Sequence, residues 1–374
     1  MPERRVALGA VEDGHPTLWG QIEIKPESEL LLHRDAKILT AYRTGKGMGW
    51  WERRKQGALT KDGQLIEELT DWRGGRPIYA WPSQESVRVR SGIRERTVLY
   101  GGTLYEHFGH LLLDLTRLYQ LLPLFRESNL SFWLHYHGGA ANGEITNIIV
   151  LEWLDCLGIR DRIKFVDDNI RCELLVSSPV LYRDRCFVRK DMPRATTRSL
   201  RPALRAKLAK IKQRKNKVAY LTRTQLNGGT SRFIGEANVV DHISRLPFVD
   251  IYTPEDLSIH KKLRLFMQYD YVVGFIQASM LLKYFLPVPC AERVAQVIAF
   301  TSGHQSLNSN WVNLSRAYGF LDYTVDCSVY DSSSPEFATY EAGSPLEAGM
   351  GDFQRSTLVD HRVAIQIIEQ LGGA

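Results

Sequence analysis

From Thr97 onward, short apolar runs bounded by turn residues alternate with longer segments of helical period, and no other feature constrains the fold as tightly. Val98-Leu99-Tyr100 reads as a buried strand ending in Gly101-Gly102. His110 to Leu122 then carries Leu111, Leu112, Leu115, Leu118 and Leu122 on a helical period, with Pro123 marking the expected end. Leu130 to His137 reads as strand, Ile145 to Leu157 as helix and Arg162 to Val166 as strand. The alternation restarts after a basic stretch. Val218 to Leu221, Val249 to Tyr252, Tyr271 to Val273 (ending at Gly274) and Val294 to Phe300 read as strands. Ala203 to Lys212, Asn238 to Leu246, Ser258 to Gln268, Ala278 to Phe285 and Asn310 to Tyr318 read as helices. Such alternation predicts an α/β fold with largely parallel sheets.

The flanks are less regular. Residues 1–95 mix charge and turn formers, as in Gly45-Lys46-Gly47-Met48-Gly49 and Arg73-Gly74-Gly75-Arg76-Pro77, with short β-like runs such as Leu18 to Ile24. The glycines at 45–49 precede two tryptophans, not an apolar helix, so they read as a loop and not as a dinucleotide fingerprint. Residues 331–353 read as a long loop and Thr357 to Leu371 as a terminal helix packed back on the body. The chain has 374 residues, and at about 150 residues per domain it accommodates two. The expected division is an N-terminal α/β domain over 1–195 (1–95 irregular and β-rich), a C-terminal α/β domain over 196–330, and a tail over 331–374.

Charge is unevenly spread. The whole chain carries +6, yet Arg183 to Lys217 holds 14 basic and 2 acidic residues, so the remainder is net acidic. A general nucleic-acid binder does not look like this, and no aromatic residue lies between Arg189 and Lys217 to stack on bases. No nucleic-acid partner is expected. The belt is either a solvated linker helix or a patch that docks on anionic lipid. Five scattered cysteines without a C-x-x-C argue against a disulfide scaffold or a zinc knuckle and suit a reducing compartment. No signal peptide and no stretch of about 20 apolar residues is visible, so a soluble, cytoplasmic protein is expected.

Three clusters fall at strand ends, where α/β domains bind ligands. In the first, Glu106-His107-Phe108-Gly109-His110 opens a helix, and Asp114 lies four residues beyond His110, on one helix face. The carboxylate would fix the imidazole tautomer and raise its basicity, as a general base requires. The alternative is a helix-start histidine beside a solvated carboxylate. In the second, Thr222-Arg223-Thr224 follows a strand, with Arg232 nearby, and arginine forks bind diphosphate. The alternative is a surface arginine. In the third, Gly274-Phe275-Ile276-Gln277-Ala278-Ser279 joins a strand to a helix, whose N-terminus would attract an anion while Gln277 and Ser279 add hydrogen bonds. The alternative is an ordinary strand-to-helix turn. His135-Tyr136-His137 has a metal-like spacing but lacks a Cys or carboxylate third ligand nearby, and no metal site is expected. There is no Gly-x-Ser-x-Gly elbow and no Walker loop.

These segments resemble a known family. Gly101-Gly102 followed by His107-Phe108-Gly109-His110-Leu111-Leu112-Leu113-Asp114-Leu115-Thr116-Arg117-Leu118 is similar to the bacterial branch of glycosyltransferase family 61. Tyr220-Leu221-Thr222-Arg223, Arg232-Phe233-Ile234-Gly235-Glu236, Thr253-Pro254-Glu255-Asp256-Leu257-Ser258 and Asn313 to Tyr323 follow in the family's order, so the resemblance spans roughly residues 97–325. One segment departs: where the family reads G-x-H-G-A-G-L, this chain has Gly274-Phe275-Ile276-Gln277-Ala278-Ser279-Met280.

The resemblance implies a GT-B fold, two facing Rossmann-like domains with a cleft between them and a nucleotide-sugar donor on the C-terminal one. It implies an inverting, metal-independent glycosyltransferase with no cofactor, acting on a polysaccharide or lipid-linked acceptor in bacterial surface glycan synthesis. His110, backed by Asp114, is then the first choice of base and His107 the second. Arg223, Thr224, Arg232, Gly274, Gln277, Ala278 and Ser279 are the expected donor-binding set. The altered segment motivates an alternative, a non-catalytic scaffold that has lost donor binding.

Overall fold

The computed structural model describes the chain except residues 1–3, 14, 16–17, 44–53, 74–75, 78–91, 138–144, 215–216, 226–231, 288–292, 302–306, 330–355 and 374. At 41–43, 54–56, 73, 76–77, 232 and 356–357 it describes the backbone alone. The glycines at 45–49 and the expected loop at 331–353 therefore lie outside the described residues. The chain divides into two compact units, Gly20–Pro202 and a second one made of Met1–Trp19 with Ala203–Ala374.

The Gly20–Pro202 unit is built on a six-stranded sheet. Its strands are β1 (Leu31–Arg43), β2 (Arg54–Leu59), β3 (Ile93–Tyr105), β4 (Phe132–His137), β5 (Ile163–Phe165) and β6 (Ile170–Ser177), in the order β5-β4-β3-β6-β1-β2. The first four in that order run parallel, and β1 and β2 complete the sheet antiparallel. From Val98 onward every residue of β3 is buried, the pattern of a strand covered on both faces. The strand does not stop at Gly101-Gly102. It runs on to Tyr105 through a register shift against β4 between Tyr100 and Gly102. Both glycines are needed there. A Cβ on Gly101 would sit 2.6 Å from Leu134 Cδ2, and Gly102 adopts φ +90°. The pair marks a bulge and not a strand end.

The expected helix from His110 to Leu122 is two helices, α1 (Phe108–Leu113) and α2 (Thr116–Glu127), separated at Asp114 and Leu115. Pro123 lies inside α2 and does not end it. The missing N–H forfeits one hydrogen bond, but Leu121, Leu122 and Phe125 around it are completely buried, and that burial carries the helix past the proline. The helix α3 (Ile148–Leu157) is capped by Asn147, whose side chain accepts from the Ile149 N–H, and closes on Gly158 at φ +74°. The basic stretch is not one linker helix. It is divided among two short paired strands (Tyr182–Arg183 and Phe187–Arg189), α4 (Met192–Thr197) and α5 (Pro202–Ala209).

In the second unit five parallel strands, β7 (Val218–Leu221), β8 (Val249–Tyr252), β9 (Tyr271–Phe275), β10 (Gln296–Thr301) and β11 (Tyr323–Asp326), lie in the order β8-β7-β9-β10-β11. Arg5–Ala7 adds an antiparallel edge to β11, so the start of the chain belongs to this sheet. The helices are α6 (Glu236–Ile243), α7 (Ile259–Gln268), α8 (Ser309–Tyr318) and α9 (His361–Gly372). The expected terminal helix begins late: Ser356–Leu358 pairs as a strand with Arg232–Ile234, and Asp360 then caps α9. Val363, Ala364, Ile367, Ile368 and Leu371 of α9 join the core formed by Val218, Tyr220, Val273, Phe275 and Ile298. Ala278–Phe285, read as a helix, is a 3-10 helix buried from Ser279 onward. The mixed α/β class follows from these two sheets. Among the described residues no helix is long and apolar enough to cross a membrane.

Candidate functional site

The first cluster sits where β3 delivers the chain into α1. The His110 ring approaches Asp114 across one helical turn, with Nδ1 3.0 Å from Oδ2. An ionised carboxylate only accepts, so Nδ1 carries a proton, and in the neutral ring Nε2 is then the nitrogen with the lone pair. That is the tautomer a general base needs. Both side chains are partly exposed, at 28% for His110 and 20% for Asp114, so solvent or a ligand reaches them. The exposed His107 lies alongside, its ring centroid 5.0 Å from that of His110, and Tyr105 packs at 6.0 Å on the same ring. The three residues expected at this position therefore form one cluster.

The support beneath it was not legible. Arg117 is fully buried and pairs with Asp71, to which Thr103 also donates. Its other nitrogen, Nη2, donates to the Glu68 and Thr70 carbonyls at 3.1 and 2.8 Å. Gly102 leaves room for it: a Cβ there would stand 3.1 Å from Arg117 Nη1. Asp71 is 46 residues from its partner, and no local pattern announces such a pair.

His135 is a core residue. Its Nδ1 meets the Tyr100 hydroxyl at 2.8 Å and its Nε2 the Leu39 carbonyl at 2.8 Å, so both ring nitrogens are engaged. The His-x-His spacing therefore does not make a metal pair. Among the described residues no three His, Cys, Asp or Glu side chains converge as a metal site.

The other two clusters meet each other in the second unit. Its strand order, second-first-third-fourth-fifth along the chain, reverses direction between β7 and β9. In open α/β sheets the carboxyl ends flanking such a reversal form the ligand crevice. Thr222-Arg223 follows β7 and Ile276-Gln277 follows β9. Gly274 allows the strands to close, since a Cβ on it would stand 2.5 Å from the Leu221 carbonyl oxygen. Arg223 Nη1 donates to the Ile276 carbonyl at 3.3 Å, and the Arg223 N–H donates to Glu236 Oε1 at 2.8 Å. Burial pushes the Arg223 pKa down, while the negative charges of Glu236 and Glu255 oppose that shift. Burial pushes the Glu236 carboxyl up, opposed by the Arg223 N–H, the Tyr220 hydroxyl and the Arg223 charge.

The expected donor-binding residues are not equally placed to act. Thr224 is exposed, and its N–H folds back to Thr222 Oγ1 at 3.1 Å. Gln277 is buried, and its amide N–H groups go to the carbonyls of Leu221 at 2.9 Å and Phe275 at 3.3 Å. Those donors brace the crevice floor instead of facing outward. Ser279 is buried, and Ala278 begins the 3-10 helix. The Arg232 backbone lies in the short strand beside Ser356, and its side chain is outside the described residues. Glu236, quoted in the sequence only as part of a motif, proves to anchor Arg223.

Residues 108–291 match the model of the family Glycosyltransferase 61. The chain resembles glycosyltransferase family 61. The matched segment starts just after His107 and takes in His110, Asp114, Arg223, Thr224, Arg232 and the turn at 274–279. It thus covers the His110–Asp114 pair and the residues of the switch-point crevice, and it supports a glycosyltransferase. Among curated proteins, none matches the chain.

Proposed function

We propose that the chain is an inverting, metal-independent glycosyltransferase of GT-B architecture. It moves a sugar from a nucleotide-diphosphate donor to a polysaccharide or glycolipid acceptor in bacterial surface glycan synthesis, at the cytoplasmic side of the membrane. The observation that carries this reading is the family-61 match, which contains both the His110–Asp114 pair and Arg223 at the switch point of a doubly wound sheet. In the reaction His110 Nε2 takes the proton of the acceptor hydroxyl as its oxygen attacks the anomeric carbon. Asp114 stabilises the imidazolium that results, and His107 stands next in line. The bond to the diphosphate breaks on the opposite face. Arg223, with Arg232 and the N–H groups near Gln277–Ser279, meets the charge that develops on the leaving group. Exposed cations of the 183–217 belt, such as Lys190, Arg198 and Lys210, supply contacts to anionic lipid that hold the enzyme near a lipid-linked acceptor.

The occupied amide of Gln277 favours a second reading, a scaffold of the same fold that has lost its donor. Thermal-shift titration with the common nucleoside diphosphates and their sugars separates the two. An enzyme gains melting temperature with at least one of them, and Arg223→Ala removes the gain. No shift with any nucleotide defeats the enzyme reading. Turnover of the donor that binds then tests the base: His110→Ala lowers it by about a hundredfold or more while the nucleotide shift persists.

A further inference from the structure

Beside the His110–Asp114 pair, within the Gly20–Pro202 unit, lies a small recess lined by Asp71, Trp72, Tyr105, Asp114, Tyr182 and Arg183. Four separate segments build it: Asp71 with the short strand Trp72–Arg73, the end of β3, the C-cap of α1 and the short strand Tyr182–Arg183. The space inside admits about one water molecule. Its walls carry both signs of charge. The Arg183 guanidinium stands 3.6 Å from the centroid of the Trp72 ring. Stacking of this kind fixes the guanidinium plane and presets the direction of its N–H groups. Its buried Nε meets no acceptor among the described residues. The other sign comes from two carboxylates. Asp71 is held by Arg117 and Thr103, and Asp114 gives Oδ2 to His110.

A buried donor left without an acceptor is costly, so native folds give such groups a partner. A cation in the recess would face Arg183, and an anion would face Asp71 and Asp114. Water is neutral, accepts at its oxygen and donates through two hydrogens, and a buried water typically makes about three such bonds. The geometry points to one structural water here, which accepts from Arg183 Nε and donates to Asp71 and to Oδ1 of Asp114. Arg183 is then a positioning residue. Through the water it fixes the rotation of the Asp114 carboxylate and keeps Oδ2 aimed at His110 Nδ1. Trp72 holds Arg183 in turn. That the oriented imidazole serves as a base rests on the glycosyltransferase reading; that Arg183 orients Asp114 does not.

Two substitutions separate this role from packing. Glutamine carries its amide nitrogen at the place of Nε, so Arg183→Gln keeps a donor to the water and loses the charge. Methionine fills the same space on Trp72 without a donor, as in Arg183→Met. The test is heteronuclear nitrogen NMR on the full chain labelled at histidine, with His110 assigned from His110→Gln and read at a pH where the ring is neutral. The wild type should show the Nδ1–H form. In Arg183→Met the ratio of Nδ1–H to Nε2–H should fall by about fivefold, the scale of one net hydrogen bond. Arg183→Gln should restore most of it. An unchanged ratio in Arg183→Met, or an equal fall in both variants, overturns the proposal. A crystal structure of the wild type is the second measurement and needs neither variant to fold. It should show a density peak within hydrogen-bond distance of both Arg183 Nε and Asp114 Oδ1, and a recess without that peak overturns the proposal. Neither measurement uses a nucleotide. A missing nucleotide shift therefore removes the donor and leaves the water standing, whereas a missing water leaves the donor reading intact.

Discussion

The side-chain amide of Gln277 donates to the main-chain carbonyl of Leu221 at 2.9 Å, tying the end of β9 to the end of β7. These two strands flank the reversal of strand order. The bond thus braces the floor of the crevice, at a position where the family pattern has glycine. Gln277→Gly should cost about 1 kcal/mol for the lost hydrogen bond and up to about 1 kcal/mol more for the freed backbone. Urea denaturation reads that loss. Removing the side chain also uncovers the turn, so nucleoside-diphosphate affinity should rise by roughly fivefold, or about 1 kcal/mol. Calorimetric titration showing unchanged affinity would take the 274–279 turn out of the donor site.

Two glycines with positive φ separate strain from crowding. Gly319 at φ +66° ends α8 and has nothing within 4 Å of its absent Cβ. Gly319→Ala should therefore cost only the left-handed penalty of about 1 kcal/mol and leave nucleotide binding alone. A Cβ on Gly274 would press to 2.5 Å on the Leu221 carbonyl, a backbone atom that cannot swing aside. Gly274→Ala should cost about 1–3 kcal/mol as an overpacked site and also disturb the Arg223–Ile276 contact. Parallel melting curves with and without nucleotide distinguish the two outcomes.

The parallel strands of the second unit were legible because they are short and bounded by turn residues. Val218–Leu221, buried throughout, and Val249–Tyr252, a partly buried edge strand, both have the ends expected from their apolar runs. The helix at His110 was misread because its apolar period continues unbroken across Asp114 and Leu115, where the backbone changes direction. Pro123 misled for the reverse reason: a local breaker yielded to tertiary burial. In the candidate site, His110 and Asp114 were readable because one helical turn joins them. Asp71, Trp72 and Arg183 were not, because each reaches the site from a distant segment.

The Arg117–Asp71 pair supplies a test of that hidden support. Arg117 has no exposed surface, so Asp71→Ala strands a buried guanidinium charge. Breaking one side of such a pair costs about 3–5 kcal/mol. Replacing both partners, as in Asp71→Ala with Arg117→Met, removes the stranded charge and should recover part of the loss. A double-mutant cycle by urea denaturation measures the difference. Equal losses in the single and double variants would mean that the packing of Arg117, and not its charge, supports α2.

Glu236 links the crevice to pH. Burial raises its carboxyl pKa above the ordinary value in the folded protein, while in the unfolded chain it titrates at about 4.3. The folded state then holds the proton more tightly than the unfolded chain. The resulting stability is complete below about pH 4.3 and is lost as pH climbs through the folded value. Glu236→Gln removes the titration but keeps the architecture, because the Arg223 N–H and the Tyr220 hydroxyl both donate to the same oxygen, Oε1. The stability of the wild type minus that of Glu236→Gln should therefore fall as pH rises from about 4 toward neutrality. Paired urea titrations across that range measure it. A difference that grows with pH would mean that the attraction of Arg223 outweighs burial, and that the carboxylate is the form the fold selects.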